Sequence, residues 1–266
     1  MLSQTFISFL QINIFPSWVI YISCLYFLFG VITAILLLIG IKASYGRYNS
    51  GALFPSLVLN PRLSWMFQES PSLLIPLYLI ITRYGEYDFY NFIVTMLFVT
   101  HYFQRSIIYP LLMKSKNLVP IEIVLSAFLF CTINGFLQGY SHLLYIKYQS
   151  NTFSTVTSWI GFIIFALGMF INIQADHILR NLRKEGETDY KIPVGGVFDY
   201  VTCANYFGEI IEWFGFFLVA KSLPSLVFMF FTITNIGPRA IQHHQWYLEK
   251  FDNYPKNRKV LIPFVF

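Results

Sequence analysis

The chain has 266 residues, of which 56% are hydrophobic and only 12% are charged, and its formal net charge is +5. An ordinary soluble domain carries about 25% charged residues, so this composition excludes a typical soluble globular protein and indicates a membrane protein. The three cysteines, Cys24, Cys131 and Cys203, lie in apolar stretches without metal-ligand spacing, which argues against a disulfide framework.

Seven stretches are apolar and long enough to cross a bilayer as helices, since about 20 such residues are needed. In chain order they are 16–41, 71–88, 91–112, 120–145, 153–175, 198–220 and 223–240. Pro71 is expected to act as a helix breaker, which would place Gln68 and Glu69 at the N-terminus of the second span. The prediction is an all-α integral membrane protein with seven transmembrane helices in one bundle.

The distribution of lysine and arginine predicts the orientation of this bundle. Fourteen of the 18 basic residues fall on one side of the predicted spans, three fall on the other side, and Arg105 lies within a span. Basic loops stay in the cytoplasm, so the N-terminus is expected to be lumenal and the C-terminus cytoplasmic. Because no internal repeat or long linker is visible, residues 1–266 are expected to form a single membrane-embedded domain.

Polar side chains recur at helical spacing in four of the spans, which puts each set on one helix face. The sets are Asn172, Asp176, Arg180 and Arg183; Arg239, His243, Tyr247 and Lys250; Asn205, Glu209 and Glu212; and Tyr102, Arg105 and Tyr109. Such groups at membrane depth normally face a bundle interior or a watered cavity. Cations, amides and tyrosines with few acids suit an anionic ligand rich in hydrogen-bonding groups, such as a dinucleotide.

Other common site motifs are missing from the sequence. It contains no GxGxxG, no GxxxxGK[ST], no HExxH, no CxxC and no GxSxG. Any nucleotide is therefore expected to bind within the helix bundle. No metal site is expected, because the adjacent His243 and His244 face different ways on a helix, and His101 and His142 are expected to be packed or interfacial.

Several segments resemble the steroid 5α-reductase (3-oxo-5α-steroid 4-dehydrogenase) family, and most of all its type 1 branch. They are PRLSWMFQESPS (61–72), HYFQRSIIY (101–109), NGFLQGY (134–140), INIQADHILRNLRKEGETDYKIPVGGVFDYVTCANYFGEIIEW (171–213) and HHQWYLEKFDNYPKNRKVLIPFVF (243–266). The resemblance covers nearly the whole chain from about Tyr45 onward. It implies a multi-pass endoplasmic reticulum protein that uses NADPH to reduce the 4,5 double bond of a 3-oxo-Δ4-steroid, by hydride transfer to C5.

Carried over to matching positions, the resemblance also implies roles for individual residues. Tyr102, Glu69 and Gln68 are expected to be catalytic and to hold the steroid 3-oxo group, while Trp65 and Glu209 are expected to contact the substrate. The residues expected to bind the cofactor are Asn172, Asp176, Arg183, Tyr190, Asn205, Arg239, His243, Tyr247, Tyr45, Tyr109 and Arg105. The protein is expected to act as a monomer on a steroid or another lipid, without nucleic acid.

Two other functional classes stay open at this point. The first is a related membrane reductase of another unsaturated lipid, such as a polyprenol or an enoyl-CoA thioester. The second is a lipid transporter or receptor without chemistry, for which inverted repeats or paired broken helices would be expected and are not visible in the sequence.

Overall fold

The computed structural model describes residues 4–42, 54, 56–148, 155–182, 187 and 189–266. The α-helices of this part of the chain are α1 (Gln4–Phe9), α2 (Ser17–Leu38), α3 (Pro61–Thr82), α4 (Phe89–Phe103), α5 (Tyr109–Leu112), α6 (Ile121–Tyr140), α7 (Val156–Asn181), α8 (Ala204–Ala220) and α9 (Leu223–Lys250). Short π-helical turns follow α4 (Gln104–Ile108) and α6 (Ser141–Tyr145), and 3₁₀ turns precede α2 (Ile12–Ile14) and α8 (Gly196–Asp199). Two short strands, β1 (Val58–Leu59) and β2 (Val119–Pro120), pair antiparallel.

The outer surface of the helices shows that the protein is embedded in a membrane. In the described part of the chain, three helical stretches are both long and apolar enough to cross a bilayer: Ser17–Leu38, Ile121–Tyr145 and Val156–Asn181. Large aliphatic side chains point outward from all three, including Leu25 on α2, Leu129 on α6 and Ile163 on α7, each more than half exposed. So extensive an apolar surface is stable in lipid, whereas soluble proteins rarely expose one.

Helices α7 and α8 pack unusually closely because glycines line their interface. A Cβ added to Gly168 of α7 would lie 2.2 Å from the backbone nitrogen of Glu212, and one added to Gly215 of α8 would lie 2.3 Å from the backbone nitrogen of Phe165. Gly161 and Gly208 make similar contacts one heptad away on the same helices. Small residues let helix backbones approach one another in membranes, where van der Waals contact drives association. This interface therefore fixes the position of α8 and its carboxylates.

A tight turn joins α8 to α9 and reverses the chain. Lys221 adopts a left-handed conformation (φ 47°), and Ser222 forms a capping box with Ser225 at the start of α9. The backbone amide of Leu223 also donates to the carbonyl of Leu10, 3.0 Å away, near the start of α2. The beginnings of α2 and α9 therefore lie at the same end of the bundle, opposite the C-terminal segment.

The expectation that Pro71 breaks a helix is wrong. Helix α3 begins at Pro61, where the Asn60 side chain accepts from the backbone amides of the first turn, and it continues through Pro71. A proline inside a helix leaves the carbonyl four residues earlier without its N–H partner. The Ser70 hydroxyl compensates by donating to the Phe67 carbonyl at 2.8 Å. The helix continues because a side chain satisfies the hydrogen bond that the proline removes.

This correction moves Gln68 and Glu69 from a helix terminus to the interior of α3, within the bundle. Other predicted bounds also change. The second span ends at Thr82 rather than at 88, and α7 ends at Asn181 rather than at 175. The stretch 91–112 is interrupted by the π-helical turn at Gln104–Ile108, α8 begins at Ala204 rather than at 198, and α9 continues past 240 to Lys250. Each of the seven predicted spans overlaps one of the long helices α2, α3, α4, α6, α7, α8 and α9.

Candidate active site

A cavity of about 340 Å³ lies inside the bundle, between helices α2, α3, α4, α6, α8 and α9. Part of its wall is apolar and aromatic, with Phe29, Ile123, Phe130, Phe228 and Phe231. The remainder is polar and is formed by Trp65, Gln68, Glu69, His101, Tyr102, Arg105, Cys131, Tyr206, Glu209, Thr232, Asn235 and Arg239. The cavity thus combines a surface suited to an apolar molecule with a dense set of hydrogen-bonding groups.

Tyr102 is held in this wall by a chain of hydrogen bonds. Its side chain is buried, and its hydroxyl oxygen accepts from Asn134 Nδ2 at 3.1 Å. Asn134 Oδ1 in turn accepts from Gln138 Nε2 at 3.2 Å, and the same nitrogen donates to the Pro224 carbonyl at 3.0 Å. Asn134 donates to the hydroxyl oxygen and therefore does not take the phenol proton, and the Ser72 hydroxyl on α3 is a second hydrogen-bonding neighbour of the phenol. The arrangement orients a hydrogen-bond donor within the cavity wall.

The interior position on α3 places an acid and an amide on the cavity wall. Cys131 Sγ donates to Glu69 Oε2 at 3.4 Å, and Gln68 Nε2 lies 3.5 Å from Glu69 Oε1. Gln68 Oε1 and Trp65 Nε1 are buried and have no hydrogen-bond partner among the residues that the structure describes. Buried polar atoms are normally satisfied, so these two atoms indicate that the wall is built to hold a polar ligand atom.

The π-helical turn after α4 organises a cationic group beside the cavity. Arg105 Nη1 lies 2.9 Å from Asp176 Oδ2 of α7, and both side chains are largely enclosed. The guanidinium also lies 4.4 Å from the centroid of the Tyr109 ring, and Tyr109 contacts Trp65. Ion pairing and ring stacking hold the guanidinium in place. The predicted grouping of Tyr102, Arg105 and Tyr109 is thus arranged by a π-turn rather than by regular helical spacing.

Other predicted residues lie between the cavity and the C-terminal segment. Asn172 Nδ2 donates to the backbone carbonyl of Asn205 at 3.0 Å, which ties α7 to the first turn of α8. His243 Nε2 lies 3.3 Å from the hydroxyl of Tyr206, a cavity residue. Farther along the chain, Tyr190 packs against Trp246, and Tyr247 stacks on Phe251 and Tyr254.

The structure therefore brings some predicted residues together and separates others. Seven line the cavity: Trp65, Gln68, Glu69, Tyr102, Arg105, Glu209 and Arg239. Asp176, Tyr109 and His243 each contact a cavity residue, whereas Tyr190 and Tyr247 belong to an aromatic cluster near the C-terminal segment. Tyr45 and Arg183 fall outside the described residues.

Sequence reasoning missed several residues that line this wall or support it. His101, expected to be packed or interfacial, lines the cavity and its Nδ1 lies 2.9 Å from Glu212 Oε1. Asn134 and Gln138 do not line the cavity but support Tyr102, and they are polar groups four residues apart inside an apolar helix. The same argument from polar groups at membrane depth would have selected them. Asn235 lies four residues before Arg239 on α9, so it extends the predicted Arg239, His243, Tyr247 and Lys250 set by one turn and helical spacing could have selected it.

The fold and the cavity define a class: a helical membrane protein with an internal cavity that is partly aromatic and partly polar. Comparison with known proteins identifies its family. A family model described as 3-oxo-5-alpha-steroid 4-dehydrogenase matches residues 117–266. The 3-oxo-5-alpha-steroid 4-dehydrogenase 1 of Mus musculus is 45% identical over 232 residues, covering 85% of this chain and 88% of the relative.

Two human proteins extend this comparison. The chain is 44% identical to 3-oxo-5-alpha-steroid 4-dehydrogenase 1 of Homo sapiens over 233 residues, covering 84% of the chain and 86% of the relative. It is 40% identical to 3-oxo-5-alpha-steroid 4-dehydrogenase 2 of Homo sapiens over 237 residues, which cover 88% of the chain and 92% of the relative. The chain belongs to the 3-oxo-5-alpha-steroid 4-dehydrogenase family.

Proposed function

We propose that this protein reduces the 4,5 double bond of 3-oxo-Δ4-steroids to 5α-dihydro products with NADPH as the reductant. One observation carries the proposal: Tyr102, whose hydroxyl is oriented by Asn134, lines a cavity that also has an aromatic wall. A ketone on an apolar ring system fits this combination. The names of the relatives, 3-oxo-5-alpha-steroid 4-dehydrogenase 1 and 2, support the same substrate class.

The cavity suits an apolar substrate that arrives from the lipid. Its volume of about 340 Å³ is near the lower end of the range for ligand pockets, which starts at about 300 Å³. Phe29 on α2 is 52% exposed, Ser126 on α6 is also exposed, and both line the cavity. The cavity therefore reaches the surface between these two helices, at a place where a steroid can enter without crossing water.

The residues present also fit a nicotinamide dinucleotide. Arg105 and Arg239 bring two guanidinium groups to the cavity, and Asn235 Oδ1 is a buried acceptor without a partner among the described residues. Guanidinium groups match phosphate oxygens by forked hydrogen bonds. When bound, NADPH supplies a hydride to C5 of the steroid. We assign its binding to Tyr45, Arg105, Tyr109, Asn172, Asp176, Arg183, Tyr190, Asn205, Arg239, His243 and Tyr247.

The chain's own residues stabilise the charge that the reaction creates. As a hydride reaches C5, the electron pair of the 4,5 double bond moves toward the 3-oxo oxygen, where negative charge develops. Tyr102 donates a hydrogen bond to that oxygen, with Glu69 and Gln68 beside it on α3. An oriented donor of this kind contributes roughly 3–4 kcal/mol to transition-state stabilisation. Trp65 and Glu209 bound the space in which the steroid lies.

The topology belongs to the same proposal. All seven long helices cross the membrane of the endoplasmic reticulum and residues 1–266 form one domain, with a lumenal N-terminus, a cytoplasmic C-terminus and a monomeric state. The basic residues near the C-terminal end of the bundle support this orientation. The cofactor then reaches the cavity from the cytoplasm, and the steroid reaches it from the lipid.

The substitution Tyr102→Phe tests the proposed role of the phenol. Without the donor, the turnover of testosterone or progesterone is expected to fall about 100-fold, while NADPH binding, followed by nicotinamide fluorescence, stays at the wild-type level. The matched control is Tyr148→Phe, because Tyr148 is also buried but donates to the Ala220 carbonyl at the far end of the bundle. Equal turnover in Tyr102→Phe and Tyr148→Phe would remove the phenol from the mechanism.

Product analysis tests the reaction class. Purified protein is incubated with NADPH and either 3-oxo-Δ4-steroids, a polyprenol or an enoyl-CoA thioester, and the products are identified by mass. A 5α-dihydrosteroid supports the proposal. Reduction of only another lipid would reassign the substrate, and a protein that binds no NADPH would belong to the class without chemistry.

A further inference from the structure

A buried histidine–carboxylate pair adjoins the cavity beside Tyr102. His101 Nδ1 lies 2.9 Å from Glu212 Oε1, and the side chains are 5% and 0% exposed. The His101 ring also lies 4.4 Å, between centroids, from the Trp213 indole, which restricts its orientation. Burying a carboxylate is costly unless a charged or hydrogen-bonding partner compensates it. Apolar side chains would fill the same space without the desolvation free energy that this pair requires, so packing alone does not account for its burial.

The pair uses one of the two imidazole nitrogens and leaves the other, Nε2, outside its hydrogen bond. Because His101 Nδ1 is engaged by Glu212, Nε2 is the ring nitrogen that remains for a ligand in the cavity that His101 lines. The hydrogen bond of the His101 ring to Glu212 is made at Nδ1, and the second oxygen of Glu212 is buried without a partner among the described residues. A carboxylate that fixes one imidazole nitrogen and leaves the other facing a reaction site is the arrangement of a general acid or base.

The proposed reduction requires a proton at C4 in addition to the hydrogen bond that Tyr102 gives to the 3-oxo oxygen. Hydride arrival at C5 leaves an enolate, whose negative oxygen is bound by Tyr102. To complete the reduction, the enolate electron pair must form a C–H bond at C4 while the 3-oxo double bond is restored. Tyr102 is occupied at the oxygen, and Glu69 lies on α3 with Cys131 Sγ at one of its carboxylate oxygens. A separate proton donor near C4 is needed.

We propose that His101, held by Glu212, delivers the proton to C4; this inference rests on the proposed steroid reduction. His101 and Tyr102 are consecutive on α4, their ring centroids lie 5.1 Å apart, and both face the cavity. The two substrate atoms that they serve, the 3-oxo oxygen and C4, are separated by two bonds. In the protonated pair, the Nε2–H bond breaks as the C4–H bond forms, and the neutral ring keeps its Nδ1–H on Glu212.

The proton balance of the reaction agrees with this assignment. Each turnover adds one hydride at C5 and one proton at C4, so one proton per turnover must enter from water. The neutral His101 takes up that proton at Nε2 when product leaves and water re-enters the cavity. Glu212 acts as a positioning residue, because it touches the imidazole rather than the substrate.

The test is the face of C4 that receives solvent hydrogen. Wild-type protein is allowed to reduce a 3-oxo-Δ4-steroid with NADPH in D₂O, and the product is examined by NMR before ketone exchange. A fixed donor places deuterium on a single face of C4. In His101→Gln the amide fills a similar space but supplies no proton, so turnover is expected to fall about 100-fold or more. The enolate is then protonated by solvent, and deuterium is expected on both faces of C4.

His142→Gln is the matched control. His142 is also fully buried, but its Nε2 lies 2.7 Å from Ser222 Oγ at the other end of the bundle. This variant is expected to keep deuterium on one face of C4, whatever its effect on stability. Folding of each variant is checked by its NADPH fluorescence. Folded His101→Gln protein that keeps single-face deuteration would overturn the inference.

Glu212→Gln provides the second measurement if His101→Gln does not fold. The glutamine oxygen still accepts from Nδ1–H, but the charge that stabilises the imidazolium is lost, so proton transfer becomes slower and the solvent isotope effect on turnover is expected to increase. An unchanged isotope effect would count against the role of the pair. Wild-type protein that forms no dihydrosteroid would refute the proposed function itself, which is a different outcome from a variant that retains single-face deuteration.

Discussion

The close approach of α7 and α8 predicts a severe effect from the smallest possible side-chain addition. In Gly168→Ala, the new Cβ would lie 2.2 Å from the Glu212 nitrogen and 2.6 Å from the Glu212 Cα. The helices must separate by at least about 1.2 Å to restore the 3.4 Å of an ordinary contact. Overpacking in a well-packed core typically costs 1–3 kcal/mol. Because the atoms in the way belong to backbone, no rotamer change relieves the clash, and we expect a cost of about 3 kcal/mol or more.

The separation also acts on the candidate site. The methyl group presses directly on the residue that holds His101, so Glu212 moves away from its 2.9 Å contact with that ring. A misplacement of about 1 Å at a catalytic group reduces turnover about 100-fold. We therefore expect Gly168→Ala to lose both thermal stability and steroid turnover, even in the fraction of protein that remains folded.

Gly237→Ala is the control, because a Cβ at this position of α9 meets nothing within 4 Å. Alanine is the better helix former by about 1 kcal/mol in a helix interior, but Pro238 follows and crowds a Cβ at this position, so the stability of the control should stay close to that of the wild type. Each protein is purified in detergent and heated, and the remaining monodisperse fraction and NADPH fluorescence are measured. Equal stability of Gly168→Ala and Gly237→Ala would refute the reasoning about this interface.

Two further predictions concern charged and titrating groups. Asp176→Leu should lower the free energy of unfolding by about 3–5 kcal/mol, because it leaves the buried Arg105 without its carboxylate partner. Adding Arg105→Met should restore the yield of folded protein without restoring NADPH binding. A double variant with no better yield than Asp176→Leu alone would contradict this prediction. Burial lowers the pKa of His244 in the folded protein, so at mildly acidic pH the unfolded chain binds a proton at this residue more readily than the folded protein does. The free energy of unfolding should therefore decrease as the pH falls from about 8 to about 5. Thermal inactivation curves of the wild type and His244→Gln measure this difference, and the same pH slope in both proteins would exclude His244 as its source.

The long helices were predictable because their signals are local. An apolar stretch of about 20 residues indicates a span whatever it packs against, and each predicted stretch overlaps a long helix. The error at Pro71 is also instructive. A proline usually ends a helix, but here the Ser70 hydroxyl donates to the Phe67 carbonyl and compensates for the hydrogen bond that the proline removes.

The cavity wall was predictable only in part. Arg105, Glu209 and Arg239 stood out as ionisable groups within apolar stretches, and all three line the cavity. Asn134 carried the same kind of signal, a polar group within an apolar stretch, whereas the importance of His101 depends on which side chain faces it across the bundle. The hydrogen bond from Asn134 to Tyr102 joins α6 to α4, and the contact between His101 and Glu212 joins α4 to α8.

The amino-acid sequence by itself determined that this protein is helical and embedded in a membrane, and its long motifs determined the family. These conclusions follow from hydropathy and residue identity along the chain, which do not depend on tertiary contacts. Only the tertiary structure decided which polar groups share a chamber. That outcome depends on how closely helices approach, as at Gly168, and on a π-turn that directs Arg105 toward Asp176. Contacts between residues far apart in sequence arise from packing, and packing is a property of the whole bundle.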